Sequence, residues 1–156
     1  MEATFRYLHL LACGLLIGKV ALLSFVVAPV LARTLEPESF GKVVRQLFPA
    51  YYVLGMASAL LGLAAVSCLS MLQGFGMASL AASLLWLIVL AGEGYCRSSL
   101  TPMSNEMRDR LKQQELAGSV DLALQRNWQR LHQRSVYLNT LVLFCALGLL
   151  GFSIRL

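Results

Sequence analysis

Four stretches of the chain are apolar at nearly every position, and they lie at about 8–31, 50–72, 75–97 and 136–154. Each stretch approaches or exceeds the roughly 20 residues that a helix needs to cross a hydrocarbon core of about 30 Å. The strands of a membrane barrel would instead alternate between apolar and polar residues, and these stretches do not alternate. The pattern therefore predicts an all-α fold, an integral membrane four-helix bundle in which residues 1–156 form one domain.

Two of the segments that connect these spans carry amphipathic patterns of their own. After Pro37, which suits the first turn of a helix, apolar residues recur at helical spacing at Phe40, Val43, Val44 and Leu47. This spacing predicts a short interfacial helix in loop 1. Residues 102–134 combine a similar apolar stripe with many charged residues, and they predict a helical loop 3.

Small residues at a spacing of four mark places where helix backbones approach closely in a membrane. Such pairs occur in the first and second spans, at Gly14 and Gly18, at Gly55 and Ala59, and at Ser58 and Gly62. They predict helix contacts inside the bundle.

The composition supports a membrane protein and excludes a soluble domain. Hydrophobic residues make up 58% of the chain and charged residues 13%, whereas a soluble domain has about 25% charged residues. The net charge of +5 does not indicate nucleic acid, because the basic residues flank apolar stretches and do not line a polar face. The expected partner is the lipid bilayer, with a second copy of the chain or another membrane protein as further partners.

The distribution of Lys and Arg predicts the orientation, because short cytoplasmic loops are enriched in both. Loops 1 and 3 carry ten basic residues: Arg33, Lys42, Arg45, Arg97, Arg108, Arg110, Lys112, Arg126, Arg130 and Arg134. The opposite side carries two, Arg6 and Arg155. This asymmetry predicts a protein of the bacterial inner (plasma) membrane with loops 1 and 3 in the cytoplasm and both termini outside, in the periplasm.

The region APVLARTLEPESFGKVVRQLFPAYY, residues 28–52, carries the most distinctive motifs: Ala28-Pro29, Gly41, Leu47-Phe48-Pro49 and Tyr51-Tyr52. Residues 128–140 add Leu131-His132, Ser135 and Asn139. In these motifs the chain resembles the transmembrane-protein-205-like family, also called domain of unknown function 4149. The resemblance implies an integral membrane protein with four helices and a long loop before the last one, and it supplies no catalytic residues.

Lys19 is the most unusual residue, because it is a charge inside the first apolar stretch. At about 1.5 Å of rise per residue it lies roughly 16 Å from the outer end of that stretch, near the midplane. A charge there costs about 2.5–3.5 kcal/mol. Three environments stay open: a polar pocket beside Ser58 and Trp86, the carboxylate of Glu93, or the lipid headgroups. By the same arithmetic Glu93 lies about 27 Å from the outer end and has a nearer partner in Arg97.

A group of polar residues is expected at the cytoplasmic end of the spans: Glu93, Arg97, His132, Tyr137 and Asn139. They form either an interfacial belt or a small vestibule open to the cytoplasm. Together with Lys19 they are the candidate polar site. The sequence carries no recognisable pairing of a nucleophile with a base, so we predict no catalytic residue.

His9, Cys13 and Cys68 form a weaker candidate for a metal site near the outer end, because imidazole and thiolate ligands bind soft metals such as Cu(I). His9 and Cys13 are four residues apart, but no CxxC or HxxxH motif is present. A haem with two axial histidines is excluded, because His9 and His132 belong to opposite ends of the bundle. We therefore expect no metal and no cofactor, and packing roles for the cysteines.

The sequence favours a non-enzymatic accessory or partner-binding membrane protein. One alternative is a small transporter or permease-like protein that uses Lys19 and the vestibule around Glu93. A further alternative is a membrane oxidoreductase that binds a metal or a haem.

Overall fold

Four long helices form the structure, a computed structural model that describes residues 1–118 and 121–154. They are α1 (Glu2–Thr34), α2 (Pro37–Gln73), α3 (Met77–Leu116) and α4 (Leu122–Phe152), and each is long and apolar enough to cross a membrane. No strand occurs among these residues. The predicted all-α membrane fold is confirmed.

The helices continue well beyond the apolar stretches. The segment predicted as a short interfacial helix is helical, but it is the beginning of α2 and runs through Pro49 into the second span without a break. The helical region predicted in loop 3 is divided between the end of α3 and the beginning of α4. Asp121 caps α4, because its carboxylate accepts hydrogen bonds from the N–H groups of Ala123 and Leu124 at 2.8 and 3.3 Å.

Two of the prolines are accommodated by wider helical turns. α1 contains a π-helical turn at Leu23–Val27 and α3 contains one at Cys96–Leu100. Each turn ends just before a residue pair that contains proline, Ala28-Pro29 in α1 and Thr101-Pro102 in α3. Proline has no N–H, and its ring crowds the carbonyl four residues earlier, so a wider turn lets the helix pass it. Both helices therefore continue beyond their apolar spans.

The four helices pack as a ring in which each one contacts its two neighbours. α2 packs against α1 and α3, and α4 packs against α3 and α1. α1 and α3 therefore lie diagonally across the bundle. The largest fully buried apolar side chains form the core of the bundle: Leu16, Val20, Val66, Leu69, Trp86, Val89, Leu100 and Leu149.

Small residues let α2 approach large side chains of its neighbours. Gly55 and Gly62 are two turns apart on one face of α2, and both are buried. A Cβ atom on Gly62 would overlap the indole of Trp86, which is fully buried. The pair in α1 behaves differently. Gly14 and Gly18 are exposed, with no atom within 4 Å of an added Cβ. The predicted contact inside the bundle is therefore wrong for this pair.

The two ends of the bundle differ in charge. Gln73 donates a hydrogen bond to Glu2 at 3.1 Å, so the beginning of α1 and the turn between α2 and α3 share one end. Gly74 makes this turn possible with its φ of 92°. At the other end, Arg45 at the beginning of α2 pairs with Asp109 at the end of α3 at 2.5 Å. We call this second end the basic end. Arg155, which the orientation argument places at the opposite end, lies outside the described residues.

Candidate functional site

A buried ion pair joins the two diagonal helices. Nζ of Lys19 on α1 lies 2.6 Å from Oε1 of Glu93 on α3, and the side chains are only 3% and 1% exposed. Because the backbones of α1 and α3 do not approach each other closely in the described part of the chain, this pair connects them across the centre of the bundle. The sequence left three environments open for Lys19, and the one found in the structure is the carboxylate of Glu93.

The expected difference in depth between Lys19 and Glu93 is wrong, because the first and third apolar stretches begin at different levels of the bundle. α1 begins at Glu2, and the contact of Glu2 with Gln73 places this residue beside the turn that precedes Met77. Measured from Glu2 and Met77, Lys19 lies about 25 Å and Glu93 about 24 Å along their helices. The two residues are therefore at the same level of the bundle, about halfway along α1.

α2 passes this pair at a glycine. A Cβ atom on Gly55 would overlap both the Lys19 amine and the Glu93 carboxylate. One turn earlier, the backbone carbonyl of Tyr51 accepts a second hydrogen bond from the Lys19 amine at 3.3 Å. The amine also lies 3.9 Å from the centroid of the Tyr51 ring and 5.9 Å from that of Tyr52, positions that allow cation–π attraction.

The two tyrosines extend this polar cluster to α4. The Tyr51 hydroxyl donates to the Asn139 side-chain oxygen at 3.1 Å, and the Tyr52 hydroxyl shares a hydrogen bond of 3.3 Å with Ser135. Phe48 stacks on the Tyr52 ring, with centroids 5.6 Å apart. All four helices thus contribute to one cluster, in which Lys19 and Glu93 are the charged members. We call it the polar core.

Glu93 is only partly satisfied in the polar core. Its Oε1 accepts from Lys19, whereas its buried Oε2 has no hydrogen-bond partner among the described residues. A buried polar atom without a partner is uncommon, because leaving a group unpaired costs free energy. Among the described residues, this oxygen is the one buried side-chain oxygen of the polar core without a hydrogen-bond partner.

The structure assembles only part of the predicted vestibule. Asn139 lies in the polar core, but Arg97 is exposed and forms no ion pair with Glu93. His132 is exposed and stacks on Trp128 with centroids 6.1 Å apart. Tyr137 is 71% exposed. These three side chains lie on the outer surface of α3 and α4 and not in the polar core.

The polar pocket predicted beside Ser58 and Trp86 does not hold Lys19. The Ser58 hydroxyl donates to the Leu54 carbonyl of its own helix at 2.9 Å, and the Trp86 N–H donates to His9 at 3.3 Å. Gly55 is the residue beside the lysine that sequence reasoning missed. Its spacing from Ala59 marked it as a contact position, but that spacing says nothing about which side chain it faces.

A second buried polar cluster lies near the other end of the bundle. Because the Trp86 N–H donates to Nδ1 of His9, Nε2 carries the proton, and it lies 3.4 Å from the Leu149 carbonyl and 3.7 Å from Sγ of Cys13. His9 and Cys13 are therefore neighbours, as their spacing predicts. Cys68 does not join them: within residues 1–118 and 121–154, no three His, Cys, Asp or Glu side chains converge on a metal position.

An open cleft lies at the basic end, between the beginnings of α2 and α4 and the end of α3. Its volume is about 570 Å³. The charged lining residues are Glu38, Lys42, Arg45, Arg108, Asp109, Lys112 and Glu115, and the cleft also has Leu111 and Trp128 in its walls. We call it the charged cleft.

The comparisons with known proteins give one match. A family model described as "Domain of unknown function (DUF4149)" matches residues 11–113. The match contains both members of the ion pair and ends before the α4 residues of the polar core. No curated protein and no solved structure matches the chain.

We predict a strong energetic coupling between Lys19 and Glu93. Lys19→Met alone should lower the free energy of unfolding by about 3–5 kcal/mol, because it leaves a buried carboxylate unpaired. Glu93→Gln should have a similar effect. The double variant should cost less than the sum of the single variants, by roughly 0.5–3 kcal/mol. Denaturant titrations in detergent micelles measure these differences.

The exposed pair Arg110 and Glu106, also 2.6 Å apart, is the matched control. Arg110→Met and Glu106→Gln should show a coupling below about 0.5 kcal/mol. Additive costs for Lys19 and Glu93 would mean that the buried pair does not stabilise the bundle as an ion pair.

Proposed function

The chain belongs to the DUF4149 family, and we propose that it is a non-enzymatic accessory protein of the bacterial inner membrane that acts by binding a partner in the charged cleft. The cleft carries this proposal, because it combines an accessible volume of about 570 Å³ with charged and aromatic walls. Ligand sites commonly have volumes of about 300–1,000 Å³. The likeness of residues 28–52 and 128–140 to transmembrane-protein-205-like proteins is part of the same proposal.

Ion pairs keep the charged cleft preformed. Lys112 on α3 lies 3.0 Å from Glu38 on α2, and Arg45 on α2 lies 2.5 Å from Asp109 on α3. Both pairs connect the same two walls. Although a single exposed pair contributes little, two pairs across one cleft hold its walls at a fixed spacing. A binding surface that is already ordered pays less entropy when a partner binds.

In this proposal, the orientation in the membrane follows from the distribution of basic residues between the two ends of the bundle. The ion pairs bring residues 37–45 and 105–112 to the basic end, away from Glu2 and the turn at Gly74. This arrangement supports a topology with loops 1 and 3 in the cytoplasm and both termini in the periplasm. The charged cleft then faces the cytoplasm.

A reporter enzyme that is active only in the cytoplasm tests this topology. Fused after Arg110, it should be active, because loop 3 carries seven of the basic residues and should stay inside. Fused after Leu156, it should be silent. The reverse pattern of activities would contradict the proposed orientation.

Photo-crosslinking tests the binding role of the cleft. A benzophenone amino acid placed at Leu111, which lines the cleft, should give one adduct of defined mass in cell membranes. The same group at Met103, which is exposed on α3 about two turns earlier, is the control and should not give it. If both positions give the same adducts, the charged cleft has no specific occupant and the proposal fails.

A second candidate is a small proton-linked transporter, and the unpartnered Oε2 of Glu93 favours it. Buried acidic residues paired with lysine occur on proton pathways through membrane proteins. In liposomes with an entrapped pH-sensitive dye, this candidate predicts a proton flux that Glu93→Gln abolishes and Glu106→Gln leaves unchanged. A flux equal to that of protein-free liposomes would eliminate it.

A further inference from the structure

The charges of the cleft are paired unevenly. Glu38 lies 3.2 Å from Lys42 and 3.0 Å from Lys112, and Asp109 pairs with Arg45. These contacts pair two of the three acidic residues with three of the four basic ones. Arg108 is the remaining basic residue and has no carboxylate partner among the described residues. Glu115 is the remaining acid, one turn beyond Lys112 and exposed to solvent.

Arg108 is fixed at a place where a ligand can approach it. Its guanidinium donates one hydrogen bond to the backbone carbonyl of Pro37 at 3.0 Å. It also lies directly over Gly41, where a Cβ atom would overlap it. The half-buried side chain is therefore held between α2 and α3. A guanidinium has five N–H donors, so most of its donors stay available to an anion that enters the cleft.

The surroundings of Arg108 indicate which anion fits. Guanidinium groups bind phosphate with two parallel hydrogen bonds. Leu111 and Trp128 add apolar surface to the cleft. A small soluble anion would leave this apolar surface exposed to water, whereas the acyl chains of a phospholipid would cover it. Tryptophan is also typical of the headgroup level of membranes.

We infer that the charged cleft binds the phosphate of an anionic phospholipid headgroup, with Arg108 as the residue that holds it. This inference rests on the proposed binding role of the cleft and names its ligand. The phosphate lies on the cleft side of the Arg108 guanidinium, the one basic group of the cleft without a carboxylate partner among the described residues, and the acyl chains pass Trp128 toward the apolar surface of the bundle.

Native mass spectrometry of the full chain in detergent tests this inference, with phosphatidylglycerol and phosphatidylcholine as the added lipids. The protein should retain phosphatidylglycerol in preference, and Arg108→Gln should lower this retention about tenfold. Arg110→Gln is the matched control, because it removes the same charge two residues away from a side chain outside the cleft. It should retain the lipid like the natural chain. Arg108→Lys, which keeps the charge but loses the two parallel bonds, should fall between them.

Three results would overturn the inference. Equal losses for Arg108→Gln and Arg110→Gln would mean that general charge attraction holds the lipid. Displacement of phosphatidylglycerol by an equal concentration of inorganic phosphate would assign the site to a free anion. A protein adduct at Leu111, with lipid retention insensitive to Arg108→Gln, would reject the lipid but leave the proposed function standing. The absence of any specific adduct at Leu111 would instead reject the proposed function.

Discussion

The ion pair between Lys19 and Glu93 is the constraint on which the rest of the bundle depends. Burying either charge alone in the bundle interior costs free energy. The attraction between the two charges offsets that cost only if their geometry is held. Because the pair spans the diagonal from α1 to α3, it connects two helices whose backbones do not approach each other closely among the described residues and which also meet at the hydrogen bond from Trp86 to His9. α2 must then supply a residue without a side chain at Gly55, and α4 supplies Asn139 to complete the hydrogen bonds of Tyr51.

The spans were predictable from the sequence because membrane insertion depends on hydrophobicity summed over about 20 residues, and that sum is visible in any window. The pairing of Lys19 was not predictable, because it requires the relative height of α1 and α3. The contact of Glu2 with Gln73 at the turn reveals that height, whereas the apolar stretches suggest other starting points. The outward direction of Tyr137 was hidden for a related reason. In helices that are apolar on nearly all sides, the pattern does not show which face is buried.

Glycine spacing shows the same limit on a smaller scale. Gly14 and Gly18 have the spacing expected of a close helix contact, but they lie on the outer surface of α1. Gly55 and Gly62 lie inside, one beside the ion pair and the other beside Trp86. A small residue permits close approach, but the neighbouring helix decides whether anything approaches. The side chains that face Gly55 and Gly62 belong to α1 and α3, and no local pattern in α2 identifies them.

Hydrogen exchange followed by mass spectrometry tests the central claim most directly, because it measures the opening of each helix separately. In the natural chain the segments around Lys19, Gly55, Glu93 and Asn139 should exchange slowly. In Lys19→Met all four should exchange faster together, since the polar core around this pair connects the four helices. Faster exchange confined to α1, with α2, α3 and α4 unchanged, would contradict the claim that the bundle depends on this pair.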